Sequence, residues 1–187
     1  MYTASSLFQA LKSVLLRSDY PRWRNLALKG IRPKWDERNA SLGALITPGS
    51  SVLDLGAGTL SLRTHLPPGC TYQPVDLIER PGVIYADFNR GHYPHLEQRY
   101  DFVVCSGVLE YIHEPQQFLR RAFELGDRLL ISYAAYQPGD SYLRRRTRGW
   151  VNHLSQESLE SAFASLGAVW SLRHSWNKQA IYLLTHE

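Results

Sequence analysis

At 187 residues the chain has room for one well-buried core and too little for two domains of ordinary size. Its 44% hydrophobic and 20% charged residues, with a formal net charge of +4, are an ordinary globular balance, and no apolar run approaches the ~20 residues of a membrane-spanning helix. Two cysteines, Cys70 and Cys105, read as small buried hydrophobes in a reducing compartment, and no His/Cys cluster has metal-ligand spacing, so neither a disulfide framework nor a metal is expected.

The chain opens on a helical prelude, residues 1–46. Leu7, Phe8, Leu11, Val14 and Leu15 recur at helical spacing and give a first helix one apolar face. Met1 to Ser18 lack a basic leading region, and Lys12 interrupts the apolar face, so a signal peptide is not expected and a cytoplasmic location is. From Arg17 to Arg38 seven basic residues stand against three acids, interleaved with Trp23 and Trp35. A second helix is expected over Asp36 to Ile46.

Pro48-Gly49 then punctuates the entry to a buried strand. The run Ser51-Val52-Leu53-Asp54-Leu55-Gly56-Ala57-Gly58-Thr59 carries apolar residues into an acid and then into a Gly-x-Gly turn. Glycine at 56 and 58 permits a sharp turn and lets a ligand approach the backbone without meeting a Cβ. Asp54 would stand at the strand's carboxyl end, where open α/β sheets bind their ligands. A dinucleotide fingerprint would need a third glycine at Ser61, so that pattern is broken.

A second strand, Thr71 to Asp76, ends in an acid 22 residues after Asp54, a placement suited to accepting the hydroxyl protons of a ribose diol. A third run, Val83 to Ala86, ends in Asp87-Phe88-Asn89. Between them only Glu79 to Gly82 remain, with Pro81 among them, so the intervening helix is missing or vestigial. Tyr100 to Ile112 reads as strand four and its loop. Pro115 fits the first turn of a helix whose buried stripe is Phe118, Leu119, Ala122 and Phe123, with Gly126 as its C-cap. Asp127-Arg128 lead into a fifth strand at Leu129-Leu130-Ile131. The insertion Gln137 to Ser155 holds Arg144, Arg145, Arg146 and Arg148. Ser155 caps a further helix, with Leu159, Ala162, Phe163 and Leu166 inward and Gly167 at its end. Two last strands, about 168–174 and 179–185, meet in a turn around Trp176-Asn177. There is no internal repeat and no low-complexity stretch.

Four of these segments, in this order, resemble the motifs of the class I S-adenosylmethionine (AdoMet)-dependent methyltransferases: the Asp54 to Gly58 loop, the acid Asp76, the Asp87-Phe88 pair, and Tyr100 to Ile112. The resemblance covers residues 35–187. It departs from the fullest first motif, Asp-x-Gly-x-Gly-x-Gly, because Leu60 takes the last glycine's place. It implies a single Rossmann-like α/β domain over 1–187, with a core from 47 to 187 and N-terminal helices covering the site. The core would be a seven-stranded, mostly parallel sheet with an antiparallel last strand and helices on both faces.

The same resemblance implies AdoMet as cofactor and S-adenosylhomocysteine (SAH) as product. Asp54, Gly56, Ala57 and Gly58 would hold the methionine part, Asp76 and Leu77 the ribose, and Asp87 and Phe88 the adenine. Ser106 and Gly107 would complete the floor, and Trp35 would lid it. Leu109-Glu110-Tyr111 and Gly149 to Ser155 are similar in scattered pieces to MetW-type methyltransferases, although Asn152 and His153 are adjacent here where that type has an Asn-x-His-like signature.

The acceptor is less legible. Methyl transfer from a sulfonium needs mainly alignment, with a base if the nucleophile is a hydroxyl. His153 is the first choice for that base, because a near-neutral pKa suits the task. Tyr111 would face the transferring methyl, and Tyr133 and Tyr136 would flank the acceptor. Cys105-Ser106-Gly107-Val108 stands where enzymes acting on exocyclic base amines carry Asn/Asp-Pro-Pro-Tyr/Phe, which disfavours that chemistry. The two arginine-rich stretches suit an anionic partner. The expected reaction is therefore O-methylation of a small anionic acceptor. RNA or protein methylation stays open as an alternative, with nucleic acid less expected, as does a non-catalytic AdoMet-binding partner subunit.

Overall fold

A computed structural model describes residue 8, residues 24–25, residues 33–176 and residues 178–187. The first helix expected over Leu7 to Leu15 and most of the basic stretch before Pro33 lie outside the described residues. The rest forms α1 (Pro33–Gly43), β1 (Ser51–Leu55), β2 (Thr71–Asp76), β3 (Ile84–Tyr85), β4 (Tyr100–Ser106), α2 (Pro115–Glu124), β5 (Gly126–Tyr133), α3 (Tyr142–Thr147), α4 (Gln156–Ala164), β6 (Ala168–Trp176) and β7 (Gln179–His186). Short 3₁₀ turns occupy Ser61–His65, Phe88–Arg90 and Leu109–Tyr111.

One seven-stranded sheet runs β3-β2-β1-β4-β5-β7-β6. Its first five strands pair in parallel, and β7 runs antiparallel to both β5 and β6. The order reverses between β1 and β4, and that reversal opens a crevice at their carboxyl ends. The central strands are near-continuous apolar runs because helices or turns cover both faces. Side-chain alternation divides them cleanly. Leu53, Leu55, Val103, Cys105, Leu129 and Ile131 pack with Phe118, Leu119, Leu159 and Phe163 of α2 and α4. Val52, Phe102, Val104, Leu130 and Ile181 pack with Leu42, Ile46 and Leu62 on the opposite face.

Several boundaries differ from expectation for identifiable reasons. Among the described residues helix α1 runs from Pro33, upstream of the expected Asp36, and ends at Gly43 rather than Ile46. A Cβ at Gly43 would lie 2.4 Å from the His65 carbonyl, and the chain leaves it by 3₁₀-type bonds from Leu45 and Ile46. Gly126 is not a helix cap. Leu125 ends α2 in a right-handed conformation, and Gly126 already belongs to β5. A glycine is needed there for space: its Cβ would meet Val103 Cγ2 at 2.6 Å and the Tyr100 carbonyl at 2.7 Å.

No helix separates β2 from β3, and after β1 the chain makes only the 3₁₀ turn. Leu60 adopts the left-handed conformation (φ 62°) at the position where the fullest glycine motif has glycine, so the backbone keeps a shape that the side chain strains. Cys105 is fully buried, whereas Cys70 is half-buried, with its thiol 3.4 Å from the Thr47 carbonyl. Among the described residues no helix is long and apolar enough to cross a membrane.

Candidate functional site

At the sheet's reversal point a cleft is lined by residues from α1, the loops after β1, β2, β3 and β4, the segment before α4, and the start of β7. Asp54 is 2% exposed, and its Oδ2 accepts a 2.7 Å hydrogen bond from the Tyr72 hydroxyl. Its Oδ1 is buried without a partner among the described residues. Burial pushes the Asp54 carboxyl up to about 7; the Tyr72 bond opposes the shift, Asp76 adds to it, and Arg38 opposes it. Gly56 turns the chain at φ 78°, and a Cβ there would lie 2.4 Å from Val108 Cγ2. The loop after β1 thus nests against the loop after β4 through a gap only glycine leaves.

Asp76 anchors the same loop. Its Oδ2 accepts from the Gly58 amide at 2.6 Å, its Oδ1 from the Ile78 amide at 2.9 Å, and Arg80 ties down the Gly58 carbonyl. Burial raises this carboxyl too, against the pull of those amides and Arg80. Asp87 is buried beside Arg90, 3.5 Å away, and Phe88 packs edge-on against Phe118. Asn89 bridges to the next loop, donating to the Tyr111 carbonyl and accepting from the His113 amide, both at 2.9 Å. Leu77, Ala57 and Trp35 complete this end of the lining.

The opposite wall centres on Arg38, which is 7% exposed. Its Nε donates to Ser106 Oγ at 2.8 Å, Nη2 to the Ser106 carbonyl at 3.0 Å, and Nη1 to Gln179 Oε1 at 3.1 Å. Ser106 Oγ donates in turn to Asn39 Oδ1. Gly107, at φ 63°, leaves room for the guanidinium, since a Cβ would lie 2.2 Å from Nη1. Burial lowers the Arg38 pKa, while Glu110, Tyr111 and Asp54 hold it up. Glu110 is fully buried, and burial raises its pKa. Its Oε1 accepts from Gln179 Nε2 and from the Ala134 amide, both at 2.9 Å, and its Oε2 has no partner among the described residues.

Tyr111 and Trp150 form the remaining wall, joined by a 3.2 Å bond from the indole N–H to the Tyr111 hydroxyl. Arg145 lies 4.6 Å and Arg148 5.1 Å from the Trp150 ring. The residues named from the first, second, third and fourth motifs therefore meet in one cleft, together with Trp35 and Tyr111.

His153 is not among the lining residues. Its Nδ1 accepts from Arg145 Nε at 3.1 Å, and its ring meets Tyr142 edge-on. Burial, helped by Arg145 and Arg146, lowers its pKa to about 4. Tyr133 and Tyr136 are likewise outside the lining. The Tyr133 hydroxyl holds Asn152 and the Leu154 amide, and Tyr136 stacks on Tyr142. The arginine run is divided: Arg144 and Arg148 are exposed, but Arg145 is 4% exposed and donates to the Ala134 carbonyl.

The cleft also draws on Arg38, Asn39, Glu110, Gln179, Asn89 and Trp150, none of which the sequence motifs mark as site residues. The one local signal was Glu110, a charged residue inside an otherwise apolar run.

A family model described as a methyltransferase domain matches residues 23–169. No curated protein matches the chain. Among solved structures, similarity extends to the 1,6-didemethyltoxoflavin N1-methyltransferase of Burkholderia thailandensis, with bound 1,6-didemethyltoxoflavin and SAH. That match has 18% identity and a TM-score of 0.66, covering 100% of this chain and 92% of that one. The plantazolicin methyltransferase BpumL, in complex with a monoazolic desmethylPZN analogue and SAH, matches at 10% identity and a TM-score of 0.66 over 98% of each chain. A Nostoc punctiforme protein named as a candidate O-methyltransferase matches at 15% identity and a TM-score of 0.71, over 97% of this chain and 67% of that one. At such identities these are likenesses of fold.

Proposed function

The chain belongs to the methyltransferase-domain family and is an AdoMet-dependent methyltransferase, and from that premise we propose that it methylates an oxygen of a small, anionic acceptor held against Tyr111 and Trp150. The cleft suits the cofactor chemically. Asp54 Oδ1 is a buried carboxylate oxygen without a partner, the group an ammonium would satisfy, and Arg38 faces the same space with the opposite charge for a carboxylate. Asp76 keeps lone pairs for a ribose diol beyond the two amides it accepts, and Asp87 and Phe88 offer an acceptor and an apolar face for adenine. Bound there, AdoMet supplies a methyl carbon on a sulfonium with a good leaving group.

One observation carries the acceptor reading: the guanidiniums of Arg145 and Arg148 lie against the ring of Trp150, which lines the cleft. A hydroxyl of ordinary pKa would need a base to lose its proton, whereas an acceptor that arrives ionised needs only to be held. The Tyr111 hydroxyl accepts from the Trp150 indole N–H, and both side chains line the acceptor side of the cleft. Two guanidiniums over the Trp150 ring add positive potential on that side. The burial of Arg145 takes one cation out of the surface run that suited a polyanion. The Burkholderia enzyme likewise holds a small molecule, 1,6-didemethyltoxoflavin, together with SAH.

The test is to supply methyl-labelled AdoMet with the low-molecular-weight fraction of a cell extract, then treat labelled products with mild alkali. Label in small acidic compounds, as ester or ether, is the expected result. Label confined to RNA or protein would refute the acceptor reading.

A further inference from the structure

Arg38 on the cofactor side and Trp150 on the acceptor side are linked through a single buried carboxylate. An arginine has donors only, so Gln179 must turn its oxygen to Arg38 and its amide N–H groups to Glu110. The same Glu110 Oε1 holds the Ala134 amide, whose residue's carbonyl accepts from Arg145 Nη2 at 2.7 Å. Arg145 in turn underlies the Trp150 ring, and its carbonyl accepts from the Trp150 amide at 3.2 Å. The Glu110 carbonyl accepts from the Val151 amide at 2.8 Å, and Asn152 Nδ2 closes the segment onto the Leu109 and Ile112 carbonyls. Two buried guanidiniums are thus each linked to the one buried Glu110 carboxyl through one amide-bearing group.

We infer that Glu110 and Gln179 are positioning residues that make the seating of Arg38 and the seating of the Tyr111–Trp150 wall a single event, so that filling the cofactor end of the cleft sets the acceptor end. This rests on the reading of the cleft as an AdoMet site with Arg38 facing the cofactor's carboxylate. The polarity of the chain fixes which way the Gln179 amide faces, because reversing it would set donor against donor at Arg38 and acceptor against acceptor at Glu110. Glu110 Oε2, buried and without a partner among the described residues, gives the network a second arrangement: the Gln179 or Ala134 N–H can pass from one oxygen to the other when Arg38 shifts toward a ligand. Such a two-state element is what couples neighbouring sites. Neither Gln179 nor Glu110 needs to touch the reacting atoms for this.

Ala134 is the useful reporter, since it belongs to the network without lining the cleft. Amide hydrogen exchange at Ala134 and Val151 is measured with and without saturating SAH. In the wild-type chain SAH is expected to slow both by about tenfold, a coupling of ordinary size. In Gln179→Leu, which cuts the link between Arg38 and Glu110 while Arg38 keeps both bonds to Ser106, the slowing at SAH concentrations that saturate the variant is expected to drop below about twofold. SAH binding to the wild type with unaltered exchange at Ala134 overturns the inference, whether or not the variant folds. Equal slowing in wild type and variant overturns it as well. If SAH does not bind the wild type at all, the functional reading fails first and takes this inference with it.

Discussion

Tyr72 and Asp54, on neighbouring parallel strands, share a 2.7 Å hydrogen bond that occupies one carboxylate oxygen and leaves the other buried and unpartnered at the cleft. The strand places the acid where water does not reach it, and the phenol is the only side chain to bond it among the described residues. Such a group is poorly satisfied until a cation arrives.

Its titration follows. With the folded-state pKa pushed up to about 7 from an ordinary 3.8, the folded chain without ligand binds an extra proton between those values. This group's contribution to stability therefore falls as pH rises from about 4 to about 7, then levels off. An ammonium prefers the ionised form, so SAH affinity moves the opposite way and should be about tenfold weaker at pH 6 than at pH 8. Calorimetric titrations at the two pH values check this. Asp54→Asn should remove the pH dependence, weaken SAH binding at pH 8, and raise the melting temperature of the ligand-free protein. A pH-independent affinity in the wild type would take Asp54 out of the ammonium contact.

Gly107 and Gly139 offer a matched pair of substitutions. Both have left-handed backbones, φ 63° and 90°, but a Cβ at Gly107 strikes Arg38 Nη1 while one at Gly139 meets nothing within 4 Å. Alanine at either costs about 1–2 kcal/mol of backbone strain. Only Gly107→Ala also displaces the guanidinium, so SAH affinity should fall by about tenfold or more there and stay unchanged in Gly139→Ala, as measured by calorimetry alongside melting. Equal affinities would mean that Arg38 does not contribute to the cofactor end.

Asp76 accepts two backbone amides at once, which makes even a conservative change damaging. Asparagine has one acceptor oxygen and would turn an N–H toward Gly58 or Ile78. Asp76→Asn should therefore weaken SAH binding by about 1–3 kcal/mol, close to the effect of Asp76→Ala. If Asn bound as tightly as Asp, the loop would not depend on this pair of bonds.

The parts of the molecule legible from sequence are those whose signal is local. Strands β1, β2 and β4 announce themselves as short apolar runs closed by Asp54, Asp76 and Ser106. The amphipathic stripe of α2 does so through Phe118, Leu119, Ala122 and Phe123, all buried. The second wall of the cleft is different. Arg38 finds Ser106 68 residues away and Gln179 141 residues away, so nothing near it in the chain marks it as buried. It reads as one more cation in a basic stretch. Arg145 hides in the same way, since the one buried arginine of α3 has the same letter as exposed Arg144 and half-buried Arg146 beside it. Gly126 misled for a related reason: glycine after a helix usually caps it, but here the crowding of Val103 and Tyr100 decides.

His153 and Tyr111 set the two readings of the acceptor side against each other. His153 is already occupied at Nδ1 by Arg145, stays neutral at pH 7 with a pKa of about 4, and lies outside the cleft lining. Removing it should disturb the packing of Tyr142 and Arg145, lowering the melting temperature, while leaving the rate of methyl transfer within about threefold of wild type, well short of the effect expected for loss of a general base. Tyr111→Phe keeps the ring but deletes the hydroxyl that accepts from Trp150. If the acceptor is held against this pair as proposed, that change should lower kcat by about 10- to 100-fold, with a smaller effect on SAH affinity. The comparison requires the labelled acceptor fraction, single-turnover rates for both variants, and a melting curve for each. A rate loss in His153→Ala larger than that in Tyr111→Phe would return the base to His153 and require the segment 150–154 to move toward the cleft during turnover.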